Sequence, residues 1–176
     1  MAGTRVSTLT HDRLLQVLDY DPETGDFIWK AQLSTSRGKI GTRAGCLGPG
    51  GYWQVTIDEV RFLGHRLAWF YVFGVWPKRL DHKDGVRTNN RILNLREATI
   101  SQNAANKRRQ ENMSGVKGVR ARVSKGGTIR WQAHIEVREN GRRKHITIGT
   151  FNTSIEASVA YYKIAQNYFG EFARSG

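Results

Sequence analysis

The chain has 176 residues and 39% hydrophobic content, which suits one or two small domains with packed cores. Its net charge of +13 and sequence pI near 10.4 call for a polyanionic partner, most simply nucleic acid. A single cysteine, Cys46, excludes an internal disulfide and a cysteine-rich zinc site. No apolar run is long enough to cross a bilayer, and Met1–Thr10 lacks the apolar core of a secretory signal. The expected setting is cytoplasmic, with neither a membrane nor a small-molecule substrate among the partners.

Thr10 followed by Leu14, Leu15, Val17 and Leu18 predicts a short helix with Thr10 as its N-cap and His11 on its surface. Asp21-Pro22-Glu23-Thr24-Gly25 is a turn, and Phe27–Trp29 a short strand. Residues 34–51, rich in Gly, Ser and basic side chains, read as a loop suited to a phosphate backbone. Tyr52–Ile57 and Val60–Leu63 alternate around Asp58-Glu59, the pattern of a β-hairpin. His65–Phe73 is apolar on most sides and stops at Gly74, so it reads as a buried helix with His65 in a structural role.

Arg79-Leu80-Asp81-His82 reads as a strand end, Lys83–Asn90 as a polar loop, and Ile92–Arg96 as a second extended piece. Thr99 then caps a helix over about Ser101–Arg109. Cutting a phosphodiester needs an activated water, charge neutralisation at phosphate and help for the leaving oxygen. This stretch offers each part. His82 has the intrinsic pKa of a general base. Asn94 can bond one of its ring nitrogens and fix its tautomer. Asp81 and Asn103 supply oxygen ligands of the kind Mg²⁺ prefers, with Mn²⁺ as the alternative and Asp84 as a reserve ligand. Asp-Gly and Asn-Asn are also ordinary loop residues, so the spacing alone serves a site or a turn.

Beyond the basic run Lys107-Arg108-Arg109 and a hinge at 111–114 the pattern changes. Three alternating segments, 116–123, 129–137 and 143–151, are joined by turns at Ser124–Gly127 and Glu139–Gly141. A helix follows, with Ala157, Ala160, Tyr161, Ile164, Ala165 and Tyr168 on one face and Gly170 at its end. The predicted unit is a three-stranded antiparallel sheet packed on one helix. Alternation puts Trp131, Ala133, Ile135, Val137, Ile146 and Ile148 under the helix. The other face then carries Arg120, Arg122, Gln132, His134, Glu136, Arg143, His145 and Thr147.

Asp81-His82-Lys83-Asp84-Gly85, Asn89-Asn90, Asn94-Leu95-Arg96 and Asn103 resemble the HNH motif of phage-type homing endonucleases. Asp21–Gly25, Trp29, Gly51-Tyr52 and His65–Trp69 are similar to segments that precede the motif in such proteins. The resemblance implies an α+β chain with a ββα-metal module. In it His82 is the general base, Asn94 its positioner, and Asp81 and Asn103 the metal ligands. An asparagine at the last position fits members that nick one strand. It also implies a phage-infected bacterial host.

The C-terminal unit resembles the AP2 DNA-binding domain through Gly115–Arg120, Trp131-Gln132-Ala133, Ile148–Phe151, Glu156-Ala157, Ala160-Tyr161 and Phe169–Ala173. That family lays its sheet in the major groove of double-stranded DNA. The resemblance implies Lys117, Arg120, Arg122, Arg130, His134, His145 and Thr147 as readers, with Arg143 on the same face. Lys107 and Arg108, on a helix end, suit phosphate contact. The expected protein is a monomeric, metal-dependent, site-specific DNA endonuclease, an HNH domain over 1–113 (core about 79–109) and an AP2-like domain over 114–176. The alternative is a non-catalytic, sequence-specific DNA-binding regulator.

Overall fold

The computed structural model describes residues 9–32, 38–106 and 116–174. The chain forms two compact units that divide between Glu97 and Ala98.

The first unit opens with helix α1 (His11–Val17), capped by the Thr10 side chain, which accepts the Arg13 N–H. Strand β1 (Leu18–Tyr20) follows at once and pairs antiparallel with β2 (Phe27–Trp29). The Asp21 carboxylate holds the turn between them, accepting the Glu23 N–H and the Thr24 hydroxyl. The sequence shows β2 but not β1, because three residues directly after a helix have no periodicity of their own. His11 is half-buried rather than on the surface: its Nε2 lies 2.8 Å from the Tyr71 carbonyl and its ring meets Phe70.

The segment read as one loop carries more structure than that. Cys46–Leu47 form strand β3, with Cys46 exposed, and Pro49–Gly51 form a 3-10 turn. Residues 33–37 lie outside the described residues. β3 pairs with β4 (Trp53–Ile57), and β4 with β5 (Val60–Leu63), in an antiparallel sheet. Asp58 and Glu59 both take positive φ, 46° and 66°, as the tight hairpin turn requires. Helix α2 (Gly64–Phe73) stops at Gly74 with φ 70°. The core of this unit gathers Leu14, Val17, Leu18, Phe27, Val55, Ile57 and Leu67, all essentially fully buried.

Strands β6 (Leu80–His82) and β7 (Leu95–Glu97) form a separate antiparallel pair. The second piece is shorter than expected. Ile92–Asn94 wind into a 3-10 turn before the strand begins.

The second unit begins with α3 (Ile100–Asn106). Thr99 and Gln102 cap it reciprocally: Thr99 Oγ1 accepts the Gln102 N–H, and Gln102 Oε1 accepts the Thr99 N–H. Strands β8 (Val119–Val123), β9 (Ile129–Glu139) and β10 (Arg142–Phe151) form an antiparallel sheet with β9 central. Helix α4 (Ser154–Phe169) packs on it, started by a Thr153–Glu156 capping box and ended at Gly170. Val119, Ala133, Ile135, Val137, Ala157, Tyr161, Ala165 and Phe169 fill the space between them. Tyr168, expected on the packed face, is exposed, and its neighbour Phe169 takes the core position. Ile146 and Ile148 both pack against this core as alternation predicts, although the pairing with β9 shifts register between Thr147 and Gly149.

The boundary therefore falls upstream of the one expected near Ser114. Ala105 is buried with the second core, and Lys117 Nζ donates to the carbonyls of Ala104 and Ala105. These contacts bind α3 to the C-terminal sheet and helix, an allegiance that local sequence does not express.

Gly118 sits at φ 68°, and a Cβ there would meet the Tyr161 ring at 2.2 Å. Gly118→Ala is expected to cost about 2–4 kcal/mol, through left-handed backbone strain and overpacking. Urea unfolding followed at the second unit checks it, as a lower midpoint with unchanged slope.

Candidate active site

Pairing of β6 with β7 sets Asp81 opposite Arg96 and His82 opposite Leu95. Asp81 is only 5% exposed, and both Arg96 Nε and Nη2 donate to its Oδ2 at 3.0 Å. A carboxylate out of water needs such a partner, because removing one half of a buried pair strands the other charge. Arg96 belongs to the HNH-like motif, but local sequence assigns it no role. Cross-strand register gives it one.

His82 is buried at the end of β6. Its ring lies 5.0 Å from that of His65, edge to face, and 6.2 Å from that of Tyr52. His82 Nε2 faces Asn90 Oδ1 at 3.4 Å. A hydrogen on Nε2 would satisfy that oxygen. Burial pushes the His82 pKa down. Asn90, Asp84 and Asp81 pull it back up in part, and the Arg87 charge adds to the lowering. The net result is a histidine below its ordinary range.

The amide beside His82 is therefore Asn90, and the expected positioner Asn94 is occupied elsewhere. Asn94 Nδ2 donates to Asp84 Oδ1 at 3.0 Å and to the Asn89 carbonyl at 2.8 Å, while its Oδ1 accepts the Asp84 N–H. Asp84 also accepts from Val86 N–H and Asn89 Nδ2. Burial opposes ionisation of Asp84, but these hydrogen bonds outweigh it and hold the carboxyl below the usual range. Asp84 and Asn94 thus form a knot that fixes the loop between the strands. Both Asp84 oxygens accept hydrogen bonds there.

Asn90 is 1% exposed, and its own carbonyl accepts the Tyr20 hydroxyl at 2.7 Å. A Cβ at Gly64 would stand 2.7 Å from Asn90 Nδ2, so only glycine leaves that amide its place. Its sequence signal was the Asn89-Asn90 pair, which alone does not say which asparagine turns inward.

Asn103 lies on α3 in the second unit, where its N–H closes the first turn on the Thr99 carbonyl. Asp81 and Asn103 are oxygen donors, one charged and one neutral, and that chemistry fits a hard divalent ion. Among the described residues no cluster of three or more His, Cys, Asp or Glu side chains could form a complete protein cage. An ion that keeps its waters and takes the rest of its shell from phosphate has no need of one.

On the second unit, cross-strand pairing gathers the expected basic face. Arg120 opposes Gln132, Arg122 opposes Arg130, His134 opposes Thr147, His145 opposes Glu136 and Arg143 opposes Arg138. Arg120 Nε and Arg122 Nε both donate to Gln132 Oε1, at 2.9 and 3.2 Å. Arg130 donates to Asn152. The His134 and His145 rings stack at 5.0 Å. Lys117 does not join them. Its amine is turned to the end of α3, and burial lowers its pKa to about 8. Lys107 and Arg108 lie outside the described residues.

Residues 62–105 match the family model of an HNH endonuclease. No curated protein and no solved structure matches the chain. The HNH match runs from β5 through α2, the β6–β7 pair and α3. It supports a nuclease of the HNH type, a family that acts on DNA and generally uses a divalent metal ion. His65, His82, Asn90, Asn94 and Asn103 all fall inside the HNH segment.

His65 is buried with its Nδ1 unpartnered, and burial, followed by the charges of His82 and Arg66, lowers its pKa to about 3. The unfolded chain binds this proton near the ordinary histidine value, so the folded state loses stability as pH falls from about 6.5 towards about 3. The loss is on the order of a few kcal/mol. His65→Phe, which keeps a ring of similar shape, is expected to shift the midpoint of acid unfolding to lower pH. Tryptophan fluorescence during acid titration measures it.

Proposed function

We propose that the protein is a metal-dependent, site-specific DNA endonuclease of the homing type that nicks one strand, the second unit acting as an AP2-like reader of the major groove. The observation that carries the reading is His82. It is a buried imidazole at a strand end with Asn90 at Nε2, its pKa lowered by burial, next to a carboxylate and inside the segment that matches the HNH family.

In this reading His82 Nδ1 takes a proton from the attacking water. Asn90 holds the ring in that tautomer, and the Asp84–Asn94 knot keeps the loop from closing over it. Asp81 and Asn103 would hold the ion, Mg²⁺ or Mn²⁺, which when bound neutralises phosphate charge and helps the 3′ oxygen leave. Arg96 fixes the Asp81 carboxylate, so one ligand is set before any ion arrives. The basic sheet supports the second half of the reading. Arginines on it can meet guanine edges bidentately, and Gln132 already orders two of them. The phage setting and a monomeric state belong to the same proposal.

His82→Ala is expected to lower nicking of supercoiled plasmid by about 10²–10⁴-fold while leaving the gel shift intact. Because the base is neutral below the usual histidine range, the wild-type rate should stay level through neutral pH and fall only on the acid side. Wild-type nicking by His82→Ala would remove this residue from the mechanism. A wild-type protein that shifts plasmid with Mg²⁺ or Mn²⁺ but never nicks it would be a DNA-binding regulator instead.

The sheet gives a separate expectation. Arg120→Ala or Arg122→Ala should cost about 1–3 kcal/mol more on the preferred duplex than on a scrambled one. Lys117→Ala should weaken folding and leave that difference alone. Equal losses on both duplexes would make the sheet a sequence-blind clamp. Titrations of each variant against both duplexes, beside thermal melts, separate these outcomes.

A further inference from the structure

Arg87 lies in the loop between β6 and the 3-10 turn at Ile92–Asn94, and it is exposed. An exposed arginine ordinarily samples many rotamers, but this one is held twice. Its Nη1 donates to the Gly50 carbonyl at 2.7 Å, and its guanidinium carbon stands 5.1 Å over the Tyr52 ring. The same Tyr52 ring lies 6.2 Å from His82. The loop beneath is fixed by the Asp84–Asn94 knot.

The means of holding it is informative. In the same unit Arg13 is fixed by Asp58, Arg43 by Asp26 and Arg96 by Asp81, each by a carboxylate that cancels its charge. Among the described residues Arg87 has no acidic partner. A carbonyl and an aromatic face orient a guanidinium while leaving it a net cation. Its other N–H groups stay available in a planar fork that matches phosphate oxygens. A fixed, uncompensated cation beside a general base is an anion site.

We propose that Arg87 binds the scissile phosphate, through its non-bridging oxygens, at the His82 centre. The inference rests on the nuclease reading. In the step it serves, the water oxygen bonds to phosphorus and the bond from phosphorus to the 3′ oxygen breaks. One water proton goes to His82, and the departing 3′ oxygen takes a proton from solvent. Arg87 lies against the phosphate oxygens where charge builds up during that exchange. It acts on the chemical step more than on overall affinity, because the rest of the basic surface also holds the DNA.

The test uses the full chain and plasmid with Mg²⁺ or Mn²⁺, under single-turnover conditions with protein in excess. Arg87→Gln is expected to lower the nicking rate at saturating protein about 10²-fold, in the range for removing one preorganised donor. Plasmid affinity should stay within about twofold, and the melting temperature should not move. Arg87→Lys should recover part of the rate, and added guanidinium ion should rescue Arg87→Ala. Should Arg87→Gln fail to fold, Tyr52→Leu removes the aromatic seat and leaves the charge, with an expected rate loss of about 10-fold.

Wild-type rate in Arg87→Gln, or in the folded Tyr52→Leu should that variant be needed, overturns the proposal. So does a loss seen only as weaker binding, which would make Arg87 an ordinary backbone contact. If wild type and His82→Ala both fail to nick, the nuclease reading itself falls and takes this inference with it. If wild type nicks and His82→Ala does not, the outcome for Arg87 is judged on its own.

Discussion

The burial of Asn90 is the constraint on which the first unit turns. Its carbonyl takes the Tyr20 hydroxyl from the N-terminal hairpin, its backbone presses against Gly25, and its amide fits only because residue 64 is a glycine at the start of α2. A fully buried carboxamide is costly unless its groups are met. Here meeting them draws together the hairpin, the long helix and the loop after His82. The same side chain then reaches His82 Nε2. The His82 ring is therefore set by the packing of the whole unit, not by the strand that carries it.

Charge is handled in two ways along this chain. Inside or near the cores, basic groups are neutralised or satisfied in place: Arg96 by Asp81, and Lys117 by carbonyls at the end of α3. On the outer face of the β8–β9–β10 sheet and in the loop carrying Arg87, the cations are ordered by neutral oxygens and rings. Order without cancellation leaves these cations outward and in defined directions. A chain that needed only solubility would have no use for such fixed orientation.

What could be read from sequence was what short-range chemistry decides. Thr10, Thr153 with Glu156, and the Asp58-Glu59 turn act over a few residues, and each is found where its local pattern puts it. The polar and apolar faces of β8 and β9 followed from alternation. Features that depend on distant partners did not show. Asn90 meets Tyr20 across 70 positions. The Asp81–Arg96 pair exists only once strand register is known, and that register also turns Asn94 toward Asp84. The allegiance of α3 rests on distant partners too: α4, the turn at Gly170–Phe172 and the Lys117 amine. The shift beside Ile148 has no signature in the sequence, because His145-Ile146-Thr147-Ile148 alternates regularly through it.

The oxygen of Gln132 has a consequence of its own. Two guanidinium groups share it, so neither arginine is arranged independently of the other. Replacing that one amide with an aliphatic side chain would free both at once, and a carboxylate there would draw both into ion pairs. Position 132 is thus a single point through which drift or selection can alter two neighbouring cations together. A surface wired this way rearranges its cations in one step, two at a time, and not one arginine after another.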